Sequence, residues 1–494
     1  MSTRTADSVA EVSEAVRQGS VWLLAGNSLT RVIGFVSGIV AARALLPSDF
    51  GVVAISRTFA LLIQLLGNLG VAAFLIHERE EVEDFCVAAF WMNLVVGGLL
   101  CGMQIVVAPL VAAYYRDVVI TRLMLVMAVG YLIGPLGSIH GVLLQREMRF
   151  RAMTLRDLGL STLASLLTIA SIMAGLGLWS LVIPDLFVGA VGVLTNWWLH
   201  PWRPRLRLCL SHWPRIFRYG RYLLGDGLVA FLNNNADYMI IGKLLGPTGL
   251  GLYSFAYQRS MIVPDYVAMP VSSAAFPALA KLRHARTDLA QFYFRLAKVT
   301  AFLVVPGVVL QAILAREFVI SLYGSKWSEA ILAMQLLLPY ALSRGLTIHL
   351  GTLLNAVGRP DVGFKYSVAA LPFLVSAVFI GAHFGVNGAA MATGIVFGLT
   401  GPILTAIVFR TMGWSFWGFV ESSRSALVVA AGMGVGVWGI RALLPEFGWR
   451  TSRADLAFFG LLGLGLFVGL LFCWDQGAYA DLKGLLRKTA ARPA

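Results

Sequence analysis

The sequence predicts an all-α integral membrane protein of about fourteen transmembrane helices, arranged as two six-helix lobes in parallel repeat plus two C-terminal helices. Three observations predict it. Of 494 residues 58% are hydrophobic and only 13% charged, with a mean hydropathy of +0.78, where a soluble protein carries about 25% charged residues. A spanning helix needs about 20 apolar residues, and runs of that length follow one another along the chain with little between them. Finally, the basic residues collect on alternate connections. These features exclude a soluble enzyme, a secreted disulfide scaffold and a nucleic-acid-binding module, so the formal net charge of +14 orients the chain and does not recruit nucleic acid.

The runs fall at 20–46, 50–76, 86–113, 120–145, 157–176, 178–199, 221–245, 251–276, 296–315, 330–356, 364–384, 386–409, 424–444 and 456–475. They are continuously apolar and far longer than the alternating strands of an outer-membrane barrel. The first run exceeds a signal-peptide core and lacks a small-residue cleavage site, so it is expected to stay in the mature protein. With the N-terminus cytoplasmic, 26 of the 39 Lys and Arg residues lie in cytoplasmic segments and eight on the other side. The positive-inside rule then places both termini in the cytoplasm.

The remaining five, Arg31, Arg43, Arg57, Arg259 and Arg344, lie within spans or at their ends. The stretch His200 to Arg221, with three prolines among six arginines, reads as a cytoplasmic linker. The expected organisation is an N-terminal segment 1–19, an N-lobe 20–199, the linker 200–220, a C-lobe 221–412, and two extra helices with a tail over 413–494. Two matches suggest duplication: Arg43, Pro47 and Gly51 recur 200 positions later as Lys243, Pro247 and Gly251. Gly141, Gln145 and Arg149 recur 210 positions later as Gly351, Asn355 and Arg359. A six-helix repeat has an even span count, so its copies share one orientation about an axis along the membrane normal, with a central site expected between them.

Polar residues inside the spans are costly at roughly 2.5–3.5 kcal/mol for a charge at mid-bilayer, and are read as cavity-facing or paired. Positions spaced 0, 7 and 11 share a helix face. Arg57, Gln64 and Asn68 have this spacing, as do Asp226, Asn233 and Asp237, and Arg344, Gly351 and Asn355. Asn27 and Arg31 share a face four residues apart, and Arg259 has Tyr266 seven residues on. A guanidinium offers permanent charge and bidentate donors to an anionic ligand. Arg31, Arg57, Arg259 and Arg344, with Asn27, Gln64 and Asn68, are therefore the candidate substrate-binding residues. The bland reading pairs each Arg with an internal carboxylate such as Asp226 or Asp237, or lets it snorkel to the head groups.

Asp226 and Asp237 are the candidate coupling residues, because a carboxylate in a partly dry cavity can take and release a proton or ion; Asp185 is a third. His140 and His349 read as satisfied core histidines, and Arg43 and Lys243 as end residues at the periplasmic surface. Five GxxxG pairs read as packing, because 51 glycines produce them by chance. Pro264, Pro270 and Pro372 mark expected bends. No GxxxxGK[ST] loop, HExxH helix or DxD pair is present, so no metal site, cofactor or enzymatic chemistry is expected.

The run Asn233 to Gly242 leading into Gly246–Tyr253, together with Gln145–Phe150 and Gly175–Ser180, resembles the Wzx-type polysaccharide-biosynthesis flippases of the multidrug/oligosaccharidyl-lipid/polysaccharide exporter superfamily. The resemblance covers about the first 410 residues. It implies translocation of an undecaprenyl-diphosphate-linked oligosaccharide between leaflets of a bacterial inner membrane, with polysaccharide polymerase and chain-length machinery as partners. It also supports the arginine site, since related flippases line a central cavity with arginines of the first, second and eighth helices. A cation-coupled multidrug exporter of the same superfamily and a membrane polysaccharide polymerase are the rival functions.

Overall fold

The computed structural model describes residues 28–67, 82–443 and 452–474, together with Gly26, Gly70, Val71 and Leu75. Among the described residues every regular element is helical. Among the described residues ten helices are long and apolar enough to cross a membrane, or up to twelve when each of two bent pairs is taken as one span. The protein is therefore a multi-pass membrane protein. By contact density the chain separates into two compact units, 1–251 and 252–494.

In unit 1 a helix over 28–44 (α1) is followed by α2 (Pro47–Leu66), α3 (Val82–Tyr115), α4 (Val118–Ala128), α5 (Gly130–Arg146), α6 (Phe150–Met173) and α7 (Ile183–Leu199). The long α8 (Trp213–Ser260) comes next, and its part up to Gly251 belongs to this unit. The α1–α2 turn follows from Pro47. The residue before a proline is driven extended, Leu46 has φ −84° and ψ 157°, and its N–H donates to the Asp49 carboxylate at 2.9 Å. The same break recurs inside α8, where Gly246 before Pro247 has φ 70° and ψ −176°, a combination open in practice only to glycine.

The two turns meet within unit 1. A Cβ on Gly51 would overlap the Pro247 carbonyl, and a Cβ on Gly251 would overlap the Pro47 carbonyl. Around this contact the Tyr115 hydroxyl donates to the Met239 carbonyl at 3.0 Å, and Lys243 donates to the Tyr114 carbonyl at 2.6 Å while its ammonium lies over the Tyr114 ring.

The segment 200–212 lies packed on unit 1. Trp202, Cys209 and Trp213 pack against a buried cluster containing Phe85, Phe90, Ile139 and Ile216, and the Trp91 indole donates to the Arg205 carbonyl at 2.9 Å. α8 starts at Trp213, eight residues before the expected span, and its first turn places Ile216 in that cluster and Trp213 against it.

Unit 2 continues with a π-helical turn Pro264–Ala268, then α9 (Met269–Leu282), α10 (Arg286–Ile313), α11 (Ala315–Tyr323), α12 (Ala330–Leu336), α13 (Leu338–Ala356), α14 (Pro360–Ala382), α15 (Gly385–Met412), α16 (Phe416–Leu443) and α17 (Ser452–Trp474). Helices Leu224–Ser260 and Pro264–Leu282 meet at a 42° bend, as Pro264 predicts, while Pro372 lies inside a continuous α14. The π turn lies between Arg259 and α9 and includes Tyr266.

The final two helices are part of the core of this unit. Phe302 and Val305 of α10, Val429, Met433 and Val437 of α16, and Leu471 of α17 form one buried cluster. Arg441 donates to Glu317 at 2.5 Å and to the Ile313 carbonyl at 3.1 Å, tying α16 to the α10–α11 corner.

Of the GxxxG glycines, Gly34, Gly98, Gly102, Gly134, Gly465 and Gly469 meet open space, so composition explains them. Gly394 and Gly398 differ: they face the Leu336 carbonyl and Pro339, where α12 and α13 meet at 40°.

The second sequence match corresponds to one local geometry occurring twice. After α5 the Met148 N–H donates to the Gln145 carbonyl (3.0 Å) and the Arg149 N–H to Leu144 (3.0 Å), with Met148 at φ 54°. After α13 the Gly358 N–H donates to Asn355 (3.2 Å) and the Arg359 N–H to Leu354 (2.8 Å), with Gly358 at φ 73°. Gly175 and Gly385, again 210 positions apart, both adopt positive φ, the first after α6 and the second at the start of α15. These are left-handed helix-end turns that satisfy the last carbonyls.

Candidate functional site

In unit 1 the accessible face of α2 carries Arg57, Leu61 and Gln64, and the opposite face buries Val52, Val53, Ile55 and Ile63. The stripe predicted for this span is therefore one face as far as it is described. Asn27 and Asn68, the other candidates of the first two spans, lie outside the described residues. Arg31 is half-buried on α1.

Arg57 reaches the start of α7. Its Nη2 donates to the Asp185 carboxylate and to the Leu181 carbonyl, both at 2.6 Å. The partner carboxylate is thus Asp185, in place of the Asp226 or Asp237 considered from sequence. Gln64 instead lines an open cavity of about 650 Å³ bordered by α2, α3, α5 and Phe231 of α8. Its polar lining also includes Tyr131 and Asn93, which donates to the Ser138 hydroxyl at 3.2 Å; Leu61, Val96, Leu100 and Ile139 make most of the wall apolar.

The third stripe does not share one environment. Asp226 is accessible, Asn233 is half-buried with its amide donating to the Val229 carbonyl at 2.9 Å, and Asp237 is 2% exposed, its carboxylate accepting the Tyr238 N–H at 2.9 Å. α8 rotates this row from the surface into the core as it approaches the Gly246 break.

In unit 2 Arg344, Gly351 and Asn355 share the accessible side of α13, while Leu350, Leu353 and Leu354 face the core. Arg344 donates to the Tyr340 hydroxyl at 3.2 Å and lies 3.7 Å from the Asp265 carboxylate in the π turn. Tyr340 stacks on Phe397 and approaches the Tyr257 hydroxyl at 3.5 Å. Arg259 is held differently: its guanidinium lies 4.9 Å from the Tyr323 ring centroid and 5.4 Å from that of Phe255, a cation–π arrangement.

Sequence reasoning passed over Asp265, Leu181 and Tyr340, and gave Asp185 least weight. The available signal was each carboxylate's place beside a proline at a helix start. His140 and His349 are fully buried and each uses only Nε2, toward the Trp202 carbonyl at 3.0 Å and the Thr300 hydroxyl at 2.7 Å, so the satisfied core role expected of them is met at one ring nitrogen while Nδ1 is buried without a partner.

Unit 1 thus offers the Arg57 guanidinium beside the Asp185 carboxylate, and unit 2 offers Arg344 beside Asp265 and Arg259 beside the rings of Tyr323 and Phe255. Residues 40–332 match a family model described as polysaccharide biosynthesis protein. The lipopolysaccharide biosynthesis protein WzxC of Escherichia coli (strain K12) is 23% identical over 461 residues, covering 90% of this chain and 93% of its own. The succinoglycan biosynthesis transport protein ExoT of Rhizobium meliloti (strain 1021) is 25% identical, covering 98% of both chains. In fold the chain is similar to the lipid II flippase MurJ in an inward closed conformation, with a TM-score of 0.73 at 13% identity over 95% of this chain and all of that one. With more than half of its length inside the family model, the chain belongs to the polysaccharide biosynthesis protein family.

Proposed function

We propose that this protein is a flippase that moves an undecaprenyl-diphosphate-linked oligosaccharide, a precursor of lipopolysaccharide, capsule or exopolysaccharide, from the cytoplasmic to the periplasmic leaflet of a bacterial inner membrane. The observation that carries it is end-to-end similarity to a relative named as a polysaccharide transport protein, in a fold like that of a lipid flippase. In this proposal Arg31, Arg57, Arg259 and Arg344 supply cationic contacts for the diphosphate, and Asn27, Gln64 and Asn68 are further substrate-binding residues. The sugar head group crosses by alternating access, and the lipid tail stays in the bilayer.

The finer architecture belongs to the same proposal: fourteen spans, an N-lobe 20–199 and a C-lobe 221–412 as parallel repeats, a linker over 200–220 and two extra helices. The recurring helix-end turns, the helix over 28–44 and the break at Gly246 support it. The 26-to-eight distribution of Lys and Arg supports cytoplasmic termini. Accessible Asp226 is favoured as the coupling carboxylate over Asp237, whose burial and backbone hydrogen bond suit a structural role. A polymerase and chain-length machinery are the proposed partners downstream.

Deletion of the gene tests the function. The proposal expects lipid-linked repeat units to accumulate on the cytoplasmic leaflet, with polymer lost and drug sensitivity unchanged. Raised drug sensitivity with normal polymer would favour an exporter; flipped but unpolymerised units would favour a polymerase.

A further inference from the structure

Arg57 extends from the middle of α2 to the first turn of α7, and both of its hydrogen bonds there use one nitrogen, Nη2. A guanidinium carries five N–H donors in a fixed fork, so the donors on Nη1 and Nε are left for another acceptor. The pair is also open: the Arg57 and Asp185 side chains keep 48% and 61% of their surface accessible. A ligand can reach the guanidinium without unpacking the helices.

Asp185 has a second source of stabilisation. It sits in the first turn of α7, just after Pro184, where the helix dipole favours a carboxylate whether or not Arg57 is engaged. The chain before it turns through Gly175 and Gly177, with φ 76° and 55°, into a short 3₁₀ turn, Gly177–Leu181. Arg57 therefore holds an anionic side chain that does not depend on Arg57 alone for its place, and holds it where an arriving anion would sit.

Resting on the diphosphate reading of Arg57, we propose that Asp185 is a resident counter-ion, displaced from Arg57 by the substrate's diphosphate, and that it sets how much negative charge an acceptable head group must carry. A singly charged group only exchanges for the carboxylate it replaces and gains little. A diphosphate brings more charge and more acceptor oxygens than a carboxylate and can use the Nη1 and Nε donors as well. In the empty protein Asp185 keeps the guanidinium neutralised, which discourages weakly anionic lipids from entering.

Binding of farnesyl diphosphate and farnesyl monophosphate to the full chain in nanodiscs tests this in the wild type, Arg57→Gln and Asp185→Asn. Arg57→Gln should weaken farnesyl diphosphate binding about tenfold or more. Asp185→Asn should tighten both probes, the monophosphate more, so that the preference for the diphosphate narrows about tenfold. If Arg57→Gln weakens binding while Asp185→Asn weakens it or leaves it unchanged, Asp185 is a fold staple and the counter-ion role is overturned, with the Arg57 reading intact. If Arg57→Gln changes nothing, the diphosphate reading fails at Arg57 and the inference falls with it. A second readout needs no variant: carbodiimide labelling of Asp185 in the wild type, followed by mass spectrometry, should rise when farnesyl diphosphate is added. Unchanged or reduced labelling overturns the displacement.

Discussion

Gly51 stands so close to Pro247 that a side chain on it would overlap the Pro247 carbonyl, and Gly251 stands in the same relation to Pro47. Each Pro-x-x-x-Gly turn thus uses its glycine to admit the other's proline, and two backbones touch where any larger residue would hold them apart. Without a hydrophobic driving force between helices in lipid, such close approach supplies the packing attraction.

Gly51→Ala and Gly251→Ala should each destabilise the protein by about 1–3 kcal/mol, the cost of overpacking against groups that cannot move aside. Gly98→Ala, on an open surface of α3, should be close to neutral. Thermal unfolding in detergent, with the three variants compared side by side, measures this; equal stability for all of them would show that the contact does not constrain the fold.

The break in α8 gives a second expectation. Gly246 has φ 70° and ψ −176°, a region where other residues pay about 1–3 kcal/mol, so Gly246→Ala should lower stability by that amount. Gly358→Asn should be milder, because Met148 already occupies the matching turn with φ 54° and asparagine tolerates this region. The difference between the two melting temperatures is the readout.

Arg441 and Glu317 form a third. The Glu317 side chain is 11% exposed and takes a hydrogen bond from Arg441, so Arg441→Leu should cost about 3–5 kcal/mol by leaving a buried carboxylate uncompensated. Adding Glu317→Gln should recover part of that loss. A double-mutant cycle with no coupling between the two positions would contradict the pairing.

The all-helical membrane fold was legible in the sequence because continuous apolar runs are a local signal. The accessible stripes of α2 and α13 followed from helical spacing for the same reason. What could not be read was pairing between distant segments. Arg57 and Asp185 are 128 positions apart, and Arg344 meets Asp265 from a π turn on a different segment. The row Asp226, Asn233 and Asp237 kept its spacing, but packing moved it from surface to core along α8. The recurrence of Pro47 and Gly51 as Pro247 and Gly251 was visible, whereas their mutual contact needed three dimensions.

Transbilayer movement of a labelled polyprenyl-diphosphate oligosaccharide in proteoliposomes, comparing the wild type with Arg31→Gln and Arg57→Gln, tests the central claim. The account predicts flipping by the wild type and a loss of about tenfold or more in each variant, since each removes a charged hydrogen-bond donor to the diphosphate. Wild-type protein that is folded yet moves no diphosphate-linked head group, or variants that flip as well as the wild type, would contradict it.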